Sequence, residues 1–307
     1  MNLLITGGCG HIGSYIIEHI NKIKKIKKTI VIDNLMTTQL NSLFNSKKKN
    51  NLKFYIRDLT KEDSLKDIKK IDYVIHLASM TNAAGSFSKK KEMYRNNLTC
   101  MKNIINFCIK KKSKLIHISS TSVYGKQTNL VDETCEKKYL KPQSPYADIK
   151  LMEEKLLKQA KNKLKYVTFR FGTISGTSSG MRFHTAVNKF CLNAALNEPI
   201  TVYKTALNQF RPYLALSDAF LLFKFTIENN FFKNDIYNAL SENYTVNQIL
   251  NKIRKYKKRI SIKFVSSPIM NQLSYHVDKK KINEEGFFFR NKIETDIKNT
   301  LNLLKNI

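Results

Sequence analysis

The sequence has no tryptophan, only five cysteines, and 24 acidic side chains against 54 Lys and Arg. The cysteines (Cys9, Cys100, Cys108, Cys135 and Cys191) show neither a paired framework nor metal-ligand spacing. A disulfide scaffold and a structural zinc module are thereby excluded, and a reducing interior fits. His11, His117 and His184 have neither a close partner nor a nearby carboxylate in the sequence, so no metal set is expected. Apolar runs end far short of the ~20 residues that span a bilayer. Met1 leads straight into the first apolar run, which leaves no room for a signal or transit peptide; the cytoplasm is the expected compartment. Internal repeats and low-complexity linkers are also lacking.

The shortage of acid leaves a net charge of +30, which attracts nucleic acid, anionic lipid and acidic proteins. The excess is mostly Lys in short runs (24–28, 47–49, 110–112, 279–281), and it travels with abundant Asn and Ile. A+T-rich codons favour these three amino acids together, so a coding bias accounts for the charge. With Trp absent and no aromatic-studded basic stripe, nucleic acid is not expected as a partner.

What is present is a globular composition, 42% hydrophobic over 307 residues, long enough for a large core and about two domains. It opens on MNLLITGGCGHIG. Leu3 to Ile5 read as a buried strand, Gly7 permits a tight turn, Gly10 lets backbone approach a ligand, and Gly13 lets a helix over 14–23 pack closely. That helix points its free N–H groups and positive dipole end at the turn, an arrangement that holds a pyrophosphate. A second apolar run, TIVIDNL, carries Asp33 twenty positions past Gly13, a spacing suited to a carboxylate on a ribose 2′-hydroxyl. NAD is therefore favoured over NADP, whose 2′-phosphate would be repelled.

Strands and helices alternate beyond this point. Strands are predicted over 2–6, 29–33, 52–56, 73–77, 115–119 and 166–171, with helices between them that include 92–109 and 145–161. The fold class is α/β, a doubly wound parallel Rossmann sheet with its ligand at the carboxyl ends of the strands. The Rossmann part covers 1–172 and is completed by about 213–239. Residues 173–307 form mainly a smaller, discontinuous C-terminal substrate-binding cap. At the third strand's end Asp58 can reach the exocyclic amine of adenine. At the fourth, the small residues of HLAS (76–79) let a dinucleotide lie across the strand tip. Ser120 closes the fifth strand, and Tyr146 and Lys150 share one helix face in SPYADIK. An ammonium beside a phenol lowers the phenol's pKa toward working pH, which makes Tyr146 a base for a hydroxyl proton while Ser120 hydrogen-bonds the same oxygen.

The glycine spacing resembles that of short-chain dehydrogenases/reductases. As a set, GGCGHIG, IDNL, HLAS, Asn97 with Asn103 in NNLTCMKN, SSTSVYG, SPYADIK, FRPYLALSDA and YNALSENYTV resemble, in order, the blocks of an extended short-chain dehydrogenase/reductase of the NAD-dependent epimerase/dehydratase family. The resemblance implies Ser120, Tyr146 and Lys150 as catalytic triad. It implies NAD contacts from Gly7, Gly10, His11, Ile12, Gly13, Asp33, Asn34, Asp58, Leu59, Leu77, Ala78, Ser79 and Asn97, with Tyr146 and Lys150 beside the nicotinamide ribose. A nucleotide sugar would meet Thr81, Ser86, Thr121, Thr173, Arg182 and Asn188, with Arg211 on its diphosphate. SYHVD (274–278) would edge the nucleotide site. The helices carrying 97–109 and 145–157 imply a homodimer.

Family members that dehydrate carry Thr-Asp-Glu where this chain has Ser120, Thr121 and Ser122, and the decarboxylases keep the Glu. Both carboxylates are missing here, which points to redox at a single carbon. SSTSVYG and the span 76–97 are most similar to UDP-glucose 4-epimerases, while Thr173 replaces their usual Asn and GMRFHTAVNKF (180–190) departs from their sugar-site wall. The expected function is a nucleotide-sugar epimerase working through a transient keto-sugar. Its alternatives are a nucleotide-sugar 4-ketoreductase or dehydrogenase and, in another class, a basic, non-enzymatic, RNA-associated relative.

Overall fold

The computed structural model describes residues 1–36, 40–43, 51–81, 84–127, 130–266 and 274–305. In chain order the first part holds β1 (Asn2–Thr6), α1 (His11–His19), β2 (Lys28–Asp33), β3 (Leu52–Ile56), β4 (Tyr73–His76), α2 (Lys90–Lys111), β5 (Lys114–Ser120), β6 (Leu130–Val131), α3 (Pro145–Ala160) and β7 (Tyr166–Phe171). The second part holds β8 (Thr173–Ser175), α4 (Ala186–Ala195), β9 (Ile200–Tyr203), β10 (Phe210–Ala215), α5 (Leu216–Glu228), β11 (Ile236–Ala239), β12 (Glu242–Thr245), α6 (Val246–Tyr256), β13 (Ile262–Val265), β14 (His276–Val277), α7 (Lys280–Glu284) and α8 (Ile293–Leu303).

Seven strands form one parallel sheet in the order β11-β7-β5-β4-β1-β2-β3. The central strands are mostly apolar and buried because helices cover both faces, whereas the edge strand β3 is half-exposed. The alternation of side chains along β1 shows the two layers: Leu3 and Ile5 join Ile16, Ile17, Phe220 and Phe223 on the α1/α5 side, while Leu4 joins Met101, Ile104 and Leu157 on the α2/α3 side. Topology reverses at β1, which lies between β2 and β4, and the crevice at that reversal is where doubly wound sheets place ligands.

After β7 the chain leaves the main sheet. β8, β10 and β12 form a small sheet, backed by an apolar cluster from α4, α6 and α8. The chain then returns once, as β11 pairs with β7. The boundary that departs most from the sequence expectation is that of α1, which starts at His11 rather than at 14 and passes into a 3₁₀ turn over Ile20–Lys22; the others match or shift by one or two residues. Gly13 therefore sits inside the first helical turn, a position its low helical propensity disguises in the sequence.

Candidate active site

The turn after β1 is shaped by close backbone approach. Gly7 has φ +68°, and a Cβ there would lie 2.6 Å from the Ala78 nitrogen, so only glycine fits. A Cβ on Gly13 would come within 2.6 Å of the Gly8 Cα. Gly10 is the N-cap of α1, with no side-chain cap and no acid in the first helical turn, so the helix presents bare N–H groups and its positive end. Ile12 packs on the core. Asp33 is fixed beside the turn, accepting from the Cys9 N–H (2.9 Å) and the Leu35 N–H (2.9 Å). Burial first, then the Asp33 charge, pushes the Cys9 thiol up to about 11, so it stays protonated. Asn34 accepts from the Met36 N–H at 3.0 Å.

Across the reversal, the Leu77 N–H donates to the Thr6 carbonyl (3.0 Å) and the Ala78 N–H to the Thr6 hydroxyl (3.3 Å), tying the tip of β4 to β1. Asp58 receives the Thr60 N–H and hydroxyl on one oxygen (2.9 and 2.8 Å). Leu59 is buried, and its carbonyl is held by Asn103 at 2.8 Å. The Ser79 hydroxyl donates to the Met80 carbonyl at 3.4 Å. Asn97 is fully buried and clamps Met80 through both backbone groups (2.9 and 3.1 Å), so it acts on the loop after β4 and not toward open space. A glycine-rich turn, an uncapped helix start and an immobilised carboxylate fit a dinucleotide.

On the β5 side, α3 begins with Ser144 accepting from the Ala147 N–H (3.2 Å) and Pro145 at its first position. Tyr146 and Lys150 follow one turn apart, with the ammonium 5.7 Å from the phenol ring centre. Ser120, at the end of β5, lies close enough to the Tyr146 phenol to favour its charged form, and its hydroxyl sits 2.8 Å from that of Ser122. Beneath the triad the Lys150 ammonium donates to Glu153 (2.8 Å), whose same oxygen meets His117 Nε2 (2.9 Å). Burial opposes the Glu153 charge most strongly, yet Lys150 and His117 hold its carboxyl at about 2. The next residue, Glu154, takes the Arg170 guanidinium in a fork (2.9 and 2.8 Å) and the Ser119 hydroxyl (2.6 Å), locking α3 to β5 and β7.

This network corrects one expectation. The Tyr146 phenol is raised above its ordinary pKa, because burial outweighs Lys150, and Glu153 adds to the rise. The triad rests as phenol and ammonium, and two of the three ammonium protons remain for other acceptors.

Residues 3–239 match the NAD dependent epimerase/dehydratase family. The chain belongs to that family. It is 31% identical over 232 residues to a dTDP-D-glucose 4,6-dehydratase of Dictyostelium discoideum, covering 70% of this chain but only 53% of that protein. It is 27% identical to an ADP-L-glycero-D-manno-heptose-6-epimerase of Brachyspira hyodysenteriae, over 93% of this chain and 92% of the relative. Among solved structures, the UDP-N-acetylglucosamine 4-epimerase of Methanobrevibacter ruminantium, in complex with UDP-N-acetylmuramic acid, superposes with a TM-score of 0.85 at 27% identity, covering 98% of this chain and 97% of that one. The NAD complex of Thermus thermophilus UDP-glucose 4-epimerase gives 0.84 at 21% identity over 100% and 99% of the two chains, a likeness of fold. The protein is thus an extended short-chain dehydrogenase/reductase, an enzyme of the epimerase/dehydratase family with NAD as its cofactor.

The residues assigned to a sugar in this family member separate on inspection. Thr81 is half-buried in the loop after β4, and Thr173 is half-buried at the start of β8. Arg211, on β10, stands 6.0 Å from the Tyr275 ring, and Tyr275 in turn acts on the Tyr146 phenol, which places Arg211 on the triad's side. Three others are buried or engaged within the protein. Ser86 is fully buried. The Thr121 hydroxyl donates to the Phe171 carbonyl at 3.2 Å, which binds it to the end of β7. Asn188 is fully buried on α4, with its amide donating to the Gly176 and Arg182 carbonyls (3.3 and 3.4 Å), a brace within its own loop. Arg182 lies against the glycine turn, its Nη2 3.6 Å from the point a Gly10 Cβ would occupy.

Two features escaped the sequence reading. The signal for Glu153 was present, since an acid three positions after Lys150 lies on the same helix face. The contacts of Ser178 and Gly180 with α1 join residues far apart in the chain, and no local signal marks them. Among the described residues no group of His, Cys, Asp and Glu could hold a metal, and no helix is long and apolar enough to cross a membrane.

Proposed function

We propose that this protein is a nucleotide-sugar epimerase that works through a transient keto-sugar. The observation that carries this reading is the pairing of Ser120, Tyr146 and Lys150 with Thr121 and Ser122 where a dehydratase has its acid and base. Thr121 and Ser122 carry hydroxyls and no carboxylate for eliminating water, and these hydroxyls are engaged with the Phe171 carbonyl and with Ser120. NAD, when bound, accepts and returns the hydride. Tyr146 must first lose its own proton to solvent; as the phenolate it takes the proton of one sugar hydroxyl and gives it back when the keto group is reduced from the other face. Ser120 holds that oxygen, Lys150 stabilises the phenolate, and Arg211 meets the diphosphate of the nucleotide.

The test is incubation of the protein with UDP-, GDP-, CDP- and dTDP-sugars, read by sugar analysis and absorbance together. Conversion to an epimer with no net NADH change is expected. A need for stoichiometric NADH or NAD would move the assignment to a ketoreductase or dehydrogenase, and loss of water from the sugar would make it a dehydratase.

A further inference from the structure

We propose that Arg182, carried by the segment after β8, is the cation that meets the diphosphate of the bound dinucleotide. This assignment takes it away from the sugar, and it stands whether or not the enzyme is an epimerase.

The segment is fastened to the start of α1. A Cβ on Gly180 would lie 2.5 Å from the Cys9 carbonyl oxygen and 2.6 Å from that of Gly10, so the two backbones touch and only glycine fits. The Gly180 N–H donates to the Ser14 hydroxyl at 2.9 Å. The Ser178 hydroxyl is 2.7 Å from His11 Nδ1 and 2.9 Å from the His11 carbonyl oxygen. Asn188 holds the Arg182 carbonyl from the other side. These bonds aim Arg182 at Gly10.

The guanidinium has no ion pair or hydrogen bond of its own among the described residues, and its Nε is shut off from solvent without a partner. Among the described residues the acid that acts on it electrostatically is Asp33, whose carboxylate already accepts two backbone N–H groups. Arg182 also faces the uncapped N-terminus of α1, so two positive ends converge on one place. That arrangement is unfavourable until an anion lies between them, and a planar guanidinium suits the paired oxygens of a diphosphate. Burial and Arg182 together hold His11 neutral, with its pKa at about 3, so no third charge competes.

The experiment compares cofactor-stripped wild type with Arg182→Gln and Arg182→Lys by thermal unfolding without ligand and by calorimetric titration with ADP-ribose and, separately, UDP. Arg182→Gln is expected to weaken ADP-ribose binding about 10- to 100-fold, the range of a charge-assisted hydrogen bond, with UDP unchanged. Arg182→Lys should recover part of that loss. Without ligand the Gln variant should melt no lower than wild type, because it removes an unpartnered cation. A lower melting temperature in both variants would make Arg182 a brace of its loop and overturn the proposal. So would unchanged ADP-ribose affinity, or a loss confined to UDP, which would return Arg182 to the sugar side.

Discussion

The chemistry proposed for Tyr146 depends on charges spread over two helical turns. The phenol, the Lys150 ammonium and the Glu153 carboxylate titrate as one coupled group, and Glu153 holds the proton on the other two. Removing the phenol oxygen in Tyr146→Phe should lower turnover about 10²- to 10⁴-fold while leaving NAD bound, as measured by released cofactor and sugar conversion. In Glu153→Gln the lost negative charge should move the alkaline rise of turnover to lower pH. The same change leaves a buried ammonium without its partner, and denaturant unfolding should show a loss of about 3 kcal/mol. Glu153 is depressed to about 2, so its contribution is present above the ordinary Glu value and is lost as pH falls toward 2. The spacing of Tyr146, Lys150 and Ser120 was readable from the sequence. The sign of the phenol's shift was not, because burial is set by every element packed around α3.

At the level of elements, β1, β3 and β7 match their sequence boundaries because continuous apolar runs bounded by polar residues leave little ambiguity. The small sheet of β8, β10 and β12 was invisible as a sheet, since short strands drawn from distant segments carry no shared period. It also creates a buried acid. Asp296, near the start of α8, receives the Ser175 hydroxyl at 2.5 Å, and burial raises its pKa to about 6. A raised carboxyl lends relative stability below its unfolded value of about 4, and that stability is lost as pH rises through 6. Asp296→Asn keeps an acceptor for Ser175 and removes the charge. Its melting temperature should match wild type near pH 4 and exceed it by a few degrees at pH 7.5, an advantage of about 3 kcal/mol at most.

Across the whole molecule, parallel topology sorts the charge. Every strand of the main sheet starts at one edge, and lysines 24, 25 and 27 precede β2, 69 and 70 precede β4, 110–112 precede β5, 161, 163 and 165 precede β7, and 233 precedes β11. The run 47–49 lies outside the described residues. The runs 24–28 and 110–112 thus share the edge opposite the glycine turn and the triad, whereas the run 279–281 follows β14 and Lys279 donates to the Ser241 carbonyl beyond the end of β11. A six-residue strand spans about 20 Å, more than twice the Debye length of about 8 Å at physiological salt. Replacing Lys161, Lys163 and Lys165 together by Glu should therefore leave the KM for a nucleotide sugar within about twofold, measured at 0.15 M salt.

The fastening of residues 178–180 to the start of α1 bears on how the protein comes to exist as a working molecule. Its hydrogen bonds span 164 to 167 residues of chain, and β11 enters the main sheet only after residue 236. A ribosome that has released the glycine turn, the triad and all the strands through β7 has still not released what closes the cofactor end or the outer edge of the sheet. Until those residues are released, the outer edge of β7 has no partner strand in the sheet. A fragment cut at residue 172 would meet the same fate, since its sheet would lack the strand that covers β7.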